Sequence, residues 1–253
     1  MIDVPLAWVG SKRNLIERLA PSIPRPSSGR MVVPFFGSGA DSLFFVREGL
    51  DVLASDANPD LVRLANELED AWIRGLELVE SIDRETYLAV RAEFNRTRDP
   101  ALFLILVRTS FNSLVRYNRK REFNVPGPKK VGSWAPSERV VSEFADMVET
   151  IGGVDCLDFE AALARVRPGD AVYLDPPYFQ AGVDYLPERF DHERLFDLLA
   201  WLPVPWAMSN SPAAADYFPG ARVVQLERAG VVSSKGSDRG RVREVLIVNE
   251  VDA

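Results

Sequence analysis

The chain has 253 residues, with 37 acidic side chains against 30 basic ones for a net charge of −7, and 47% of its residues are apolar. That length gives one large domain or one core plus an insertion, and that apolar content excludes disorder as the main state. A single cysteine, Cys156, and a single histidine, His192, exclude a disulfide framework and a cysteine-cluster zinc site, and any nucleophile–histidine apparatus would depend on that one imidazole.

Met31–Phe36 is a short apolar run entering glycines, which predicts a buried strand. Ala40–Glu48 reads as a helix stopped by Gly49, and Val52–Ser55 as a second strand. Asn58-Pro59 starts a helix, since asparagine caps and a first-turn proline loses no needed N–H. Leu61, Leu64, Ala65, Leu68, Ala71 and Trp72 then keep helical spacing. From Leu61 to Thr150 there is little strand signal. Asp99-Pro100 opens a helix carrying the apolar run Leu102–Val107, and Arg116–Lys130 reads as a polar hairpin or loop. Strands resume at Ile151–Leu157, Ala171–Asp175, Trp206–Ser209, Arg222–Leu226 and Val245–Val248, with helices at Phe159–Val166, Arg189–Trp201 and Pro212–Phe218. Cys156 falls in an apparent buried strand and reads as structural. His192, at a helix entrance, reads as a surface residue.

About seven strands alternating with helices give an α/β fold: a parallel or mixed sheet covered on both faces, interrupted by a mostly helical insert. The expected division is a catalytic domain from 1–60 and 151–253, with the insert at 61–150. The longest apolar run, Ala101–Val107, is far short of a membrane span, and Met1–Pro5 lacks the charged and apolar regions of a signal peptide. A cytoplasmic protein is expected.

Ligands of such sheets bind at the carboxyl ends of strands. The first strand ends in Pro34-Phe35-Phe36-Gly37-Ser38-Gly39, where two glycines allow a tight turn and close backbone approach. A third glycine of the dinucleotide fingerprint is missing, because Ser42 stands in that place. Asp56 ends the second strand and suits ribose hydroxyls, which together with the glycines suggests an adenosine-containing cofactor; alone it could serve as a helix cap. The fourth strand ends in Asp175-Pro176-Pro177-Tyr178. The prolines stiffen the backbone and remove two donors, leaving the Pro176 carbonyl free to accept. Asp175 adds a second acceptor, so the pair suits the two protons of an exocyclic amine. Tyr178 adds a face on which a planar base stacks.

The segment Arg116–Lys130 carries six basic side chains against Glu122 alone, a local +5 in a chain of −7. Phosphate attraction is thus concentrated there, and Arg and Asn side chains suit guanine and adenine edges. A second basic patch runs from Ser233 through Arg239, Arg241 and Arg243. A plain strand–helix turn and a solvated charged loop are the competing readings of the glycine pair and the basic segment.

Taken together, Trp8-Val9-Gly10-Ser11-Lys12, Phe36-Gly37-Ser38-Gly39, Asp56-Ala57-Asn58, Arg116-Tyr117-Asn118 with Glu122–Pro126, and Asp175–Tyr178 resemble the Dam-type DNA adenine-N6 methyltransferases in content and order. The resemblance spans Leu6 to about Val248. It implies a Rossmann-like methyltransferase fold and a target-recognition insert with a hairpin. It implies S-adenosylmethionine as methyl donor, double-stranded DNA as substrate, no metal and a monomer. Catalysis falls to Asp175, Pro176, Pro177 and Tyr178. Cofactor contacts fall to Trp8, Lys12, Phe35, Gly37, Gly39, Asp56, Asp158, Phe159 and Asp175. DNA contacts fall to Arg116, Asn118, Arg119, Lys120, Arg121, Asn124, Pro126, Lys129 and Lys130. The chain departs from the family pattern at Ser113, where the family usually has glycine, and in the short basic run Gly127–Lys130. A cytosine-N4 methyltransferase would use the same tetrapeptide logic. A nicotinamide oxidoreductase shares the glycine turn and Asp56 but leaves Trp8–Lys12, the basic insert and Asp175–Tyr178 unexplained. A non-catalytic DNA-binding module would keep the insert without an intact cofactor site.

Overall fold

A computed structural model describes residues 1–128, 132–179, 190–227 and 243–250. Among them seven strands form one sheet: β1 (Met31–Val33), β2 (Val52–Asp56), β3 (Asp155–Cys156), β4 (Ala171–Leu174), β5 (Trp206–Asn210), β6 (Arg222–Glu227) and β7 (Arg243–Asn249). Their spatial order is β3-β2-β1-β4-β5-β7-β6. β3, β2, β1, β4 and β5 run parallel, and β7 runs antiparallel to both β5 and β6. The chain reverses direction across the sheet between β1 and β4, which opens a crevice at the carboxyl ends of these strands. This is the mixed, Rossmann-like sheet of a methyltransferase fold. No helix of the described residues is long and apolar enough to cross a membrane.

The helices are α1 (Ile16–Leu19), α2 (Ala40–Arg47), α3 (Pro59–Asn66), α4 (Leu68–Leu78), α5 (Arg84–Thr97), α6 (Pro100–Thr109), α7 (Glu138–Thr150), α8 (Phe159–Leu163) and α9 (His192–Ala200). Their starts follow from local chemistry. Asn58 accepts from the amides of Asp60 and Leu61 ahead of Pro59, and Asp99 accepts from Ala101 ahead of Pro100. Alternation along β4 sorts the core. Ala171 and Tyr173 join Met31, Val33 and the insert helices on one face, while Val172 and Leu174 join Trp206, Met208 and Phe218 on the other. One apolar core is therefore continuous from the sheet into the insert.

Several elements differ from the sequence reading. β1 pairs only to Val33, because Pro34 has no N–H to continue the ladder. β3 is reduced to two residues, because Gly152 and Gly153 adopt positive φ after α7 and turn the chain away from the sheet. Residues 212–217 form a 3₁₀ helix instead of an α-helix. Cys156 is exposed and not buried, since β3 is the sheet edge. The segment expected to be a polar hairpin carries a Tyr117–Phe123 bridge and buries Tyr117, Phe123 and Val125, with Phe123 packing edge-on against Phe94 and Phe103.

Candidate active site

The N-terminal segment lies across the turn after β1. Ser11 Oγ and Ser38 Oγ are 2.7 Å apart. A Cβ on Gly37 would reach the Trp8 ring at 3.5 Å, an ordinary contact, so glycine serves there chiefly through its φ of +52°. Gly39 has a φ of +73°, and its Cβ would lie 2.6 Å from Phe144 and 2.7 Å from Phe36, so packing of α7 on the turn also requires glycine there. At the end of β2, Asp56 accepts from Gly37 N at 3.1 Å and Asn58 N at 2.9 Å, which fixes the carboxylate beside the turn. Desolvation pushes its carboxyl upward, outweighing those amides.

Behind this turn sits a charged cluster. Lys12 Nζ is fully buried, 2.5 Å from Asp175 Oδ1, 3.3 Å from Glu244 Oε1 and 3.1 Å from the Gly10 carbonyl. Burial alone would lower its pKa, but Asp175 and Glu244 outweigh burial and raise it above the usual lysine value. The Tyr178 hydroxyl donates to Glu244 Oε1 at 2.5 Å, and the Lys12 ammonium lies 5.2 Å from the centre of the Tyr178 ring. The turn carrying these groups is itself fastened. His192 Nε2 bonds the Pro177 carbonyl at 2.8 Å, Asn210 Oδ1 accepts from Phe179 N, and Ser211 Oγ donates to the Phe179 carbonyl. The Pro176 carbonyl accepts no hydrogen bond from a described residue, so it remains available as an acceptor. His192 is therefore not the surface residue expected. It is half-buried among Phe179, Phe190 and Phe196 and clamps the turn after β4.

Half-buried aromatic rings line the same edge of the sheet. Phe35 stacks on Phe159 with centroids 6.2 Å apart and meets Phe190 edge-on. Asp158 caps α8 through Ala161 N, which fixes it next to Phe159. The Phe35 and Phe159 rings, next to Asp158, suit an adenine, and the Asp56 carboxylate at the end of β2 suits ribose hydroxyls. Of the two carboxylates on the Lys12 ammonium, Asp175 is 17% exposed and Glu244 1%, so Asp175 is the one that can face a cationic sulfonium. The residues present thus fit S-adenosylmethionine.

In the hairpin around the Tyr117–Phe123 bridge, several expected DNA contacts spend polar atoms internally. Arg116 Nε bonds Asn124 Oδ1, and Asn118 bonds Glu122 Oε2 while accepting from the amides of Lys120 and Glu122. Arg119, Lys120, Arg121 and Pro126 are exposed. The hairpin is tied to the start of α3 by Tyr117, whose hydroxyl donates to Asp60 Oδ2 at 2.8 Å. Lys129 and Lys130 lie outside the described residues, as does the second basic patch up to Arg241.

Sequence reasoning missed Glu244, Asp41 and the clamp made by His192. A lone acid at the mouth of the apolar run Val245–Val248 was the available signal for Glu244. Asp41, in the first turn of α2, is buried with its Oδ1 unpaired among the described residues. Desolvation, with Asp175 and Glu244 nearby, pushes its carboxyl up to about 8. An unfolded aspartic acid titrates near about pH 4, so over the interval up to about 8 the folded state keeps a proton that the unfolded state has lost. Stability therefore falls as pH rises through this window. Asp41→Asn is expected to flatten the melting temperature against pH there and to melt higher than the parent at the alkaline end. Parallel profiles would show that Asp41 does not titrate in this way.

Residues 8–218 match the family model described as D12 class N6 adenine-specific DNA methyltransferase. The chain is 28% identical to a type II methyltransferase, M1.LlaDCHI, of Lactococcus lactis subsp. cremoris, covering 96% of this chain and 93% of that one. It is 30% identical to the Retron Ec67 DNA adenine methylase of Escherichia coli over 78% of this chain and 71% of the relative. It is 29% identical to the DNA adenine methylase of Escherichia coli strain K12, covering 95% and 93%.

Proposed function

This chain belongs to the D12 class N6 adenine-specific DNA methyltransferases, and from that premise we propose that Asp175, Pro176, Pro177 and Tyr178 carry its reaction. The enzyme methylates adenine N6 in DNA, and S-adenosylmethionine is the methyl donor. Neither the cytosine-N4 alternative nor an oxidoreductase or non-catalytic reading is favoured by the family match.

When bound, the donor supplies an electrophilic sulfonium methyl. Trp8, Lys12, Phe35, Gly37, Asp56, Asp158 and Phe159 would hold it, with Gly39 also packing the turn. A duplex adenine hides its amine in a base pair, so the base is extruded at a cost of about a few kcal/mol. Tyr178 stacks on the extruded ring. The Asp175 carboxylate and the Pro176 carbonyl accept the two N6 hydrogens. That contact opposes delocalisation of the nitrogen lone pair into the purine and orients it for in-line attack. The amine becomes acidic only as it acquires the methyl, so no strong base is needed beforehand. The observation supporting this most directly is the placement of a lysine-anchored Asp175 beside a Pro176 carbonyl that accepts no hydrogen bond from the described residues, at the carboxyl end of β4.

The insert at 61–150 is proposed as the target-recognition unit. Its exposed hairpin tip, Arg119, Lys120 and Arg121, meets phosphates or base edges, and Arg116, Asn118, Asn124 and Pro126 shape the hairpin. Lys129 and Lys130 would extend that basic surface. Changing Arg119, Lys120 and Arg121 together to alanine is expected to weaken DNA binding by about tenfold or more at low salt. It should also reduce the slope of log affinity against log salt by roughly two to three. A slope equal to that of the parent, measured by fluorescence anisotropy from 50 mM to 200 mM salt as about the useful range, would remove the tip from the interface. We further propose that the enzyme acts as a monomer in the cytoplasm, where its DNA substrate lies. Methylation of random-sequence DNA, followed by mapping of modified positions, tests the proposed recognition unit and identifies the target word.

A further inference from the structure

Glu244 is the second residue of β7. Because β7 is antiparallel, its start lies beside the carboxyl end of β5, where Val245 faces Asn210. A carboxylate is thereby delivered to the edge of the sheet that holds the Asp175 turn, from a part of the chain some seventy residues later in sequence. Glu244 is 1% exposed. Val245 to Val248 are all apolar and buried, so an apolar residue at 244 would suit the packing and would avoid the cost of desolvating a charge.

The carboxylate is held in a specific set of contacts. It accepts the Tyr178 hydroxyl at 2.5 Å and pairs with Lys12 Nζ at 3.3 Å. The same ammonium holds Asp175 and lies against the Tyr178 ring. Glu244, Lys12 and Tyr178 thus form a closed ring of contacts, from which Lys12 also holds Asp175, so Glu244 reaches both the tyrosine ring and, through lysine, the catalytic carboxylate. A tyrosine fixed only at Cβ rotates about two side-chain torsions. Tethering its hydroxyl sets the plane of the ring.

We propose that Glu244 is a positioning residue for methyl transfer, tethering the Tyr178 hydroxyl to fix the plane on which the extruded adenine stacks and pairing Lys12 so that it holds Asp175. This rests on the assignment of Asp175–Tyr178 as the catalytic turn. Glu244 does not touch the substrate. Its effect appears in how well the base is oriented, and so in kcat more than in the affinity for DNA.

The test is a double-mutant cycle of Glu244→Leu and Tyr178→Phe, with Glu244→Gln as the conservative variant, in the full-length enzyme. Glu244→Leu is expected to lower kcat by about a hundredfold, the scale of a misplaced reactive group, with KM for DNA nearly unchanged. Glu244→Gln, which still accepts from the hydroxyl, should recover most of that loss. Tyr178→Phe should slow the parent by about tenfold but slow Glu244→Leu by less than roughly twofold, because the tether is already gone. With 2-aminopurine at the mapped target, fluorescence on binding should be brighter for Glu244→Leu than for the parent, as stacking on the ring is lost. If Glu244→Leu does not fold, Tyr178→Phe, which breaks the same tether from the other side, should itself show the lower kcat with KM nearly unchanged and the brighter 2-aminopurine signal. Additive losses, or a parent-like kcat and fluorescence in Glu244→Leu, would overturn the role of Glu244 alone. A folded parent enzyme that leaves DNA unmethylated would overturn the underlying assignment instead.

Discussion

Asp175→Ala is expected to lower methyl transfer by about a thousandfold or more while DNA affinity stays within roughly threefold. The carboxylate stands at the end of β4 with one oxygen held by Lys12 at 2.5 Å, so its orientation is set before substrate arrives. It is 17% exposed, which leaves it reachable from the crevice. Alanine removes one of the two acceptors proposed to hold the N6 hydrogens, and the Pro176 carbonyl alone cannot fix both. The fold should survive, because Lys12 retains Glu244 as a partner. Single-turnover methylation with labelled donor measures the rate. Transfer within tenfold of the parent would remove Asp175 from the reaction.

The second large effect concerns stability. Lys12→Met is expected to destabilise the protein by about 3–5 kcal/mol, the cost of leaving a buried ion pair with one side missing. Methionine fits the fully buried stem, but Asp175 and Glu244 are then left as neighbouring carboxylates without a cation. Their protonation relieves the repulsion. The folded variant then holds protons that its unfolded chain releases, so its deficit should grow as pH rises and shrink towards acid pH. Urea denaturation across pH measures both features. A deficit below about 1 kcal/mol at neutral pH, or one independent of pH, would mean that the lysine is not the counter-ion of this cluster.

Much of the sheet was legible because its central strands β1, β4 and β5 are buried on both faces and read as short apolar runs separated by turn residues. The motif residues were legible because they sit at strand ends, where the crossover topology concentrates chemistry. What was not legible depends on long-range register. Glu244 reaches the site only because β7 inserts antiparallel between β5 and β6, and no local pattern announces that pairing. His192 looked like a surface residue because the groups that hold it, the Pro177 carbonyl and the Phe179 ring, lie more than a dozen residues earlier in the chain. Gly39 illustrates a different limit. Its φ of +73° is what a local turn pattern announces, whereas its close contact with Phe144 of α7, about a hundred residues on, is not. The hairpin looked uniformly polar because its charged residues mask the alternate positions, Tyr117, Phe123 and Val125, that anchor it to the insert core.

Digesting DNA to nucleosides after incubation with the purified enzyme and isotope-labelled S-adenosylmethionine tests the central claim most directly. The label should appear in N6-methyldeoxyadenosine, and should vanish with Asp175→Ala. Label in N4-methyldeoxycytidine, or none in any nucleoside from a folded enzyme, would contradict it.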